Sequence, residues 1–205
     1  MKGLLFKPWK AQAIHESNPD IEWQTRRKGG LEIINQSPDD WYCLGSEYTP
    51  GGERWHFENG TVNDTAFIKC PFSVGDEVYI KETWAIDEDD QLVIFYKGQT
   101  PDWGGKWHSP LFMPAWAART VVAITDIRAP RVQDISENDA LAEGVTRQLY
   151  NSFGYGGELS EEEFNFTKAR FAFRLLWDSI HGSGAWARND WVWKYSFIRR
   201  DYADR

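Results

Sequence analysis

The chain has 205 residues, with 12 Trp, 12 Phe and 8 Tyr among them, and a net charge of −8. That length suits one large domain, and the aromatic volume supplies a core. The acidic balance excludes broad duplex binding, which needs an extended basic surface, but leaves room for a local basic pocket that takes one nucleotide or a short single strand.

Residues 3–6 form a short apolar run and read as a first strand, ended by Lys7-Pro8. The run is too short for a signal peptide, and no stretch approaches the length of a membrane span. The expectation is a soluble, cytoplasmic protein that does not engage a membrane. Pro8 suits the first turn of a helix, where its missing N–H has no partner to lose. Trp9, Ala13 and Ile14 fall on one face at helical spacing. Asn18-Pro19 ends the helix, because a residue before proline avoids the helical region.

Next comes Trp23-Gln24-Thr25-Arg26-Arg27, read as a corner. It joins an indole face, a hydroxyl and two fixed positive charges. Arginine offers forked donors to phosphate, an indole offers a stacking face, and threonine offers a small donor and a latent nucleophile. Lys28-Gly29-Gly30 reads as a turn and residues 31–34 as a strand.

Residues 36–64 are polar, with Trp41, Tyr42, Tyr48, Trp55 and Phe57 interspersed. They read as an ordered insertion returning as a hairpin: strands at 54–58 and 61–69 around Asn59-Gly60. After Cys70-Pro71-Phe72, the Gly75-Asp76 turn opens an alternating strand that runs to Trp84. Asp87 to Asp90 is an acidic tip without the ligand spacing of a calcium loop, and 91–97 is its partner strand. Residues 98–114 are a loop with Trp103, Trp107 and His108. The longest strand spans 120–128.

Ser136 caps a short helix, with Asp139 three residues on, and Gly144 stops it. Residues 146–159 read as a mobile Gly/Tyr/Ser loop. Ser160 and the acids after it open a helix reaching about Ile180. Residues 190–199 alternate Trp191, Trp193, Tyr195 and Phe197 against Val192, Lys194 and Ser196, a final strand. The class is α+β, a curved sheet or small barrel with packed helices. Cys43 and Cys70 lack any zinc spacing and read as reduced thiols. His15, His56, His108 and His181 share no metal-ligand spacing, so no metal and no cofactor is expected.

Taken in order, Phe6-Lys7-Pro8-Trp9, Gln24-Thr25-Arg26-Arg27, Cys70-Pro71-Phe72, Lys81-Glu82-Thr83-Trp84, the 113–119 entry to the central strand, Asp134-Ile135-Ser136-Glu137 with 140–144, Trp177-Asp178-Ser179-Ile180 and Trp191-Val192-Trp193 resemble the ASCH domain, of the PUA-like superfamily, in its phage and prophage branch. The resemblance covers residues 3–198. It implies a single PUA-like β-barrel domain over 1–205, with packed helices and insertions at about 36–64 and 146–159. It also implies a cleft for RNA, a nucleotide or a modified nucleobase.

Some ASCH proteins are amidohydrolases acting on N4-acetylcytidine, and others are ribonucleases. By that likeness Thr25 stands at the nucleophile position and Glu143 at the site glutamate. Glu22 stands where the family has lysine, so the charge that activates a threonine has to come from elsewhere, with Lys7 as the candidate base. The catalytic set is then Thr25, Glu143 and Lys7. The substrate-binding set is Trp9, Trp23, Arg26, Arg27 and Trp84. Trp84 either walls the cleft or packs in the core, and Tyr96 and Arg119 are further members of that kind.

Three readings follow. The first is binding of RNA or a modified nucleobase. The second is hydrolysis in the same cleft. The third is a phage accessory role, with a host protein held by the two insertions.

Overall fold

The computed structural model describes residues 1–50, 52–90, 92–155 and 159–200. In chain order the elements are β1 (Lys2–Leu5), α1 (Pro8–Glu16), β2 (Trp23–Arg27), β3 (Trp41–Thr49), β4 (Gly52–Asn59), β5 (Asp64–Lys69), β6 (Glu77–Lys81), β7 (Trp84–Ile86), β8 (Ile94–Tyr96), β9 (Val121–Arg128), α2 (Glu137–Ala142), α3 (Arg147–Tyr150), α4 (Glu161–Thr167), α5 (Ala169–His181) and β10 (Trp193–Arg200). The class is α+β. A curled five-stranded sheet has the order β1-β6-β9-β10-β2, beside a three-stranded sheet β3-β4-β5 and the pair β7-β8. The residues divide into two compact units. One holds 1–23, 74–125 and the segment from 197 on, and the other holds 24–73 and 126–196.

In the first unit β1 runs parallel to β6, from Lys2 opposite Val78 to Leu5 opposite Lys81. β6 pairs antiparallel with β9. Pro8 opens α1 at its first turn, as its fixed φ favours. The buried face of α1 is Lys10, Ala11 and Ile14. Trp9 is 36% exposed, so it does not share that face as the spacing suggested. Lys10 lays its stem inward, with its ammonium 5.3 Å from the Phe6 ring. Trp84, Tyr79, Met113, Ala117, Ala118 and Val121 form a core cluster. Asp87 and Asp90 flank the acidic tip, where Asp87 Oδ1 accepts from the Asp89 and Asp90 N–H groups at 2.8 and 3.1 Å. The expected partner strand is shorter, confined to β8, and Gln91 lies outside the described residues.

In the second unit the hairpin expected around Asn59 is present. Asn59 pairs with Asp64, and its Oδ1 accepts from the Thr61 and Val62 N–H groups at 2.9 and 3.1 Å. Gly60 is needed for close approach, since a Cβ there would lie 2.7 Å from the Tyr42 ring. The return strand begins at Asp64 instead of 61, because 60–63 make the turn. β3 adds a strand that the polar composition of 41–49 concealed, with a bulge between Cys43 and Gly45. Gly51 lies outside the described residues.

Residues 31–34 are not a strand. Leu31 and Ile34 are both fully buried on a turn that leads into a short 3-10 segment at Ile34–Gln36, where i,i+3 spacing places both inward. The helix expected from 160 to 180 is two helices. Lys168, at φ −128°, breaks the helical path between α4 and α5. Residues 147–153 are helical instead of a loop, capped by Thr146 and interrupted at Gly154 with φ +84°, and Tyr150 is buried; 156–158 lie outside the described residues. Tyr150, Phe164, Ala172, Phe173, Trp177 and Trp186 belong to the core of this unit. Trp193, Tyr195 and Phe197 of β10 are buried, so these rings pack inward and form no exposed platform.

Candidate functional site

The 23–27 segment is strand β2 and not a corner, with Gln24, Thr25 and Arg26 each under 8% exposed. β2 neighbours β10 in the sheet, so its backbone donors and acceptors enter a ladder. Strand alternation puts Gln24 and Arg26 on one side and Thr25 and Arg27 on the other.

α2 supplies the opposing charge. Ser136 caps it in a reciprocal box with Asp139. Gly144, at φ +84°, ends it just past Glu143. The i,i+4 spacing of Asp139 and Glu143 puts both carboxylates on one helix face. Arg26 Nη1 donates to Glu143 Oε1 at 3.1 Å, and Arg26 Nη2 lies 3.4 Å from Asp139 Oδ2. Lys194 Nζ donates to Asp139 Oδ1 at 3.0 Å. The Arg26 guanidinium stands 5.8 Å from the Phe173 ring centroid. Burial works to raise the Asp139 carboxyl. The Lys194 hydrogen bond and charge, Arg26 and the Ser136 N–H outweigh it and hold the group below its usual range.

Arg27 feels burial, which lowers its pKa, while Glu143 and then Tyr195 act to raise it. Burial pushes the Tyr195 phenol up, and neighbouring Cys70 adds to that; its Oη is 3.4 Å from Cys70 Sγ. Both cysteines are free thiols.

A second cluster lies beyond the end of β2. Lys28 Nζ is 3.3 Å and Arg188 Nη2 3.4 Å from Asp190 Oδ2. Asp190 is 2% exposed, and its Oδ1 is buried without a hydrogen-bond partner. His181 closes α5 with its ring 4.1 Å from Trp177. Burial, then Lys28 and Arg27, lower its pKa to about 4, with Asp190 opposing and Arg188 adding.

The structure therefore brings Arg26 and Glu143 into contact, with Arg27 in their field, while Thr25 precedes Arg26 on the opposite side of β2. Lys7, Trp9, Trp23 and Trp84 belong to the other unit. Lys7 is exposed and caps α1 through its backbone, its carbonyl accepting from Lys10 and Ala11. Trp23 donates its indole N–H to Ser17 Oγ at 3.0 Å. Trp84 is buried against His108 and Trp116. Glu22 accepts a hydrogen bond from Thr125 at 3.3 Å.

Asp139, Lys194, Lys28, Arg188, Asp190 and His181 join the two clusters without having been singled out from the sequence. Only the Asp139–Glu143 spacing carried a local signal. A shallow pocket of about 200 Å3 elsewhere in this unit is lined by Glu137, Thr167, Arg170, Phe171, Arg174 and Trp186. Arg170 is committed there to the Gln133 and Ile135 carbonyls.

Among the described residues no group of three or more His, Cys, Asp or Glu is placed to hold a metal ion. No helix among them is long and apolar enough to cross a membrane. No family model, curated protein or solved structure matches this chain.

Proposed function

We propose that the chain binds RNA, a nucleotide or a modified nucleobase, with Arg27 and Glu143 in the binding site, as an ASCH-type, PUA-like protein would. One observation carries this reading. Arg26 and Glu143, 117 positions apart, meet at 3.1 Å, so the two segments on which the resemblance puts its site residues are neighbours. The roles then differ from those of a solvated arginine corner. Arg26 already faces two carboxylates and serves to position Glu143. An ionised glutamate is acceptor only and complements the exocyclic amine of a base.

Binding is favoured over hydrolysis by the burial of Thr25. At 2% exposed its hydroxyl is closed to an incoming acyl group, and Glu22 brings no positive charge to activate it. Equilibrium titration of the folded protein with RNA oligomers and with nucleosides, N4-acetylcytidine included, tests the proposal. Saturable binding that weakens in Glu143→Gln supports it, and absence of binding to every member overturns it. Turnover of N4-acetylcytidine or RNA that is lost in Thr25→Ala would restore the hydrolase reading.

A protein-binding reading has one observation in its favour. Tyr42, Leu44 and Tyr48 of β3, inside the 36–64 segment, are 60%, 57% and 88% exposed. Exposed aromatics on a strand are common contact residues. Replacing all three by Ser and measuring binding to host-cell proteins separates this reading from the first.

A further inference from the structure

The chain is acidic overall, at −8, yet the ground just past β2 is locally basic. Lys28 and Arg188 share the single carboxylate oxygen Asp190 Oδ2, at 3.3 and 3.4 Å. The Asp190 side chain is 3% exposed, whereas those of Lys28 and Arg188 are 29% and 48% exposed. The carboxylate is thus a buried anchor that holds two cations whose ends remain open to solvent. A lysine has three donors and an arginine five, so a single shared oxygen leaves most of them available. His181 stands in the same field, its ring against Trp177. Among the described residues its imidazole makes no hydrogen bond. Two cations on one anion, with Arg27 also acting on His181, leave the local balance positive. Partial burial strengthens its attraction for an anion relative to bulk water.

We propose that Lys28 and Arg188 form an anion subsite that takes a phosphate group, with Asp190 as the residue that positions the two cations and His181 as a nearby reporter of the charge there. The subsite rests on the nucleotide reading above for the identity of the whole ligand, though not for its affinity for phosphate. Since Lys28 directly follows β2, a nucleotide with its base toward Glu143 would present its phosphate here. Lysine and arginine supply charge-assisted donors. No covalent step is involved.

The test is a titration with inorganic phosphate at constant ionic strength, followed through the His181 imidazole signals by NMR. Adenosine 5′-monophosphate and adenosine form parallel arms. The groups acting on His181 are Lys28, Arg27, Asp190 and Arg188, so a bound dianion raises its apparent pKa from about 4. The expected result is a saturable His181 shift with phosphate and with the monophosphate. Binding should weaken about tenfold or more in Lys28→Gln/Arg188→Gln and stay unchanged in Arg174→Gln, which removes one charge away from the cluster. Arg188→Gln alone, at a half-exposed side chain, gives a smaller loss in the same direction and serves if the double variant does not fold.

No saturable response to phosphate, or equal affinity in the wild type and the Lys28→Gln/Arg188→Gln variant, overturns the subsite. Phosphate binding without binding of any nucleoside or RNA leaves the subsite standing and defeats the nucleic-acid reading. Nucleoside binding without a phosphate response does the reverse.

Discussion

Arg119 in one unit and Arg26 in the other both face a buried glutamate, Arg119 from a half-buried position and Arg26 from a buried one, and they use the pairing differently. Arg119 grips Glu82 with two hydrogen bonds of 2.8 Å, donates to Gln12 at 2.7 Å and Gln99 at 3.2 Å, and stacks 4.2 Å from the Tyr96 ring centroid. Nearly all of its donors are consumed, its charge is matched by one carboxylate, and nothing is left to offer a ligand. Arg26 is arranged otherwise. It touches Glu143 and Asp139, its Nε is buried without a partner, and Lys194 and Arg27 crowd the same carboxylates. Charge is shared there among several groups, and the next cluster carries an excess of cations. A closed pair stabilises, while an open, over-subscribed cluster is suited to binding.

The largest effect expected from this contrast is on stability. Glu82→Ala leaves the largely buried Arg119 guanidinium without its carboxylate and should lower unfolding free energy by about 3–5 kcal/mol, read from urea denaturation. Glu143→Ala should lower it by about 1–3 kcal/mol, because Arg26 retains Asp139. A ranking in the opposite order would break the comparison. Ligand binding should sort the two sites the other way. Glu143→Gln weakens nucleoside or RNA binding, and Glu82→Gln leaves it unchanged in titrations of the folded variants.

Acid titration sharpens the picture further. The His181 pKa falls from 6.5 to about 4 on folding, so between those values the unfolded chain binds the extra proton. Stability therefore declines as pH drops from about 6.5 to about 4. For a partly exposed ring the screened amount is about 1 kcal/mol. His181→Gln should flatten that part of the pH–stability curve. The Asp139 carboxyl, held below its usual 3.8, adds a separate loss only at lower pH, once it too is protonated.

Smaller effects belong to the helix caps. Ser136→Ala removes the bond to the Asp139 N–H and should destabilise by about 1 kcal/mol. Ser160→Ala at α4 should match it. Only Ser136→Ala should also disturb the Arg26 cluster, since Asp139 is part of both. Smallest of all, Asp126→Asn breaks an exposed pair with Arg128 and should change melting by less than about 0.5 kcal/mol.

Much of the fold was legible where local chemistry is decisive. Pro8 marked the start of α1, Ser136 with Asp139 and Ser160 with Glu163 marked two capping boxes, and Gly144 marked a stop. The alternation of Trp193, Tyr195 and Phe197 marked β10. Legibility failed where partners are distant. Residues 31–34 look like a strand by composition, but no ladder receives them. β3 looks like a polar insertion, but β4 supplies its pairing and one of its faces stays wet. The break at Lys168 has no proline or glycine to announce it.

The site divides along the same line. Thr25, Arg26, Arg27 and Glu143 were visible as residue types in a recognisable order. Sequence alone determined the α+β class, the starts of α1, α2 and α4 and the stop at Gly144, and the meeting of aromatic faces and fixed charge in the 23–27 segment, because each follows from period, capping or side-chain chemistry within a few residues. Tertiary structure alone decided that the segment is a buried strand, that Arg26 is spent on Glu143 and Asp139, and that Lys28 joins Arg188 on Asp190. The Arg26 and Lys28 contacts join residues more than a hundred positions apart, and charge compensation in a buried site depends on which groups share the space, not on which are neighbours in the chain.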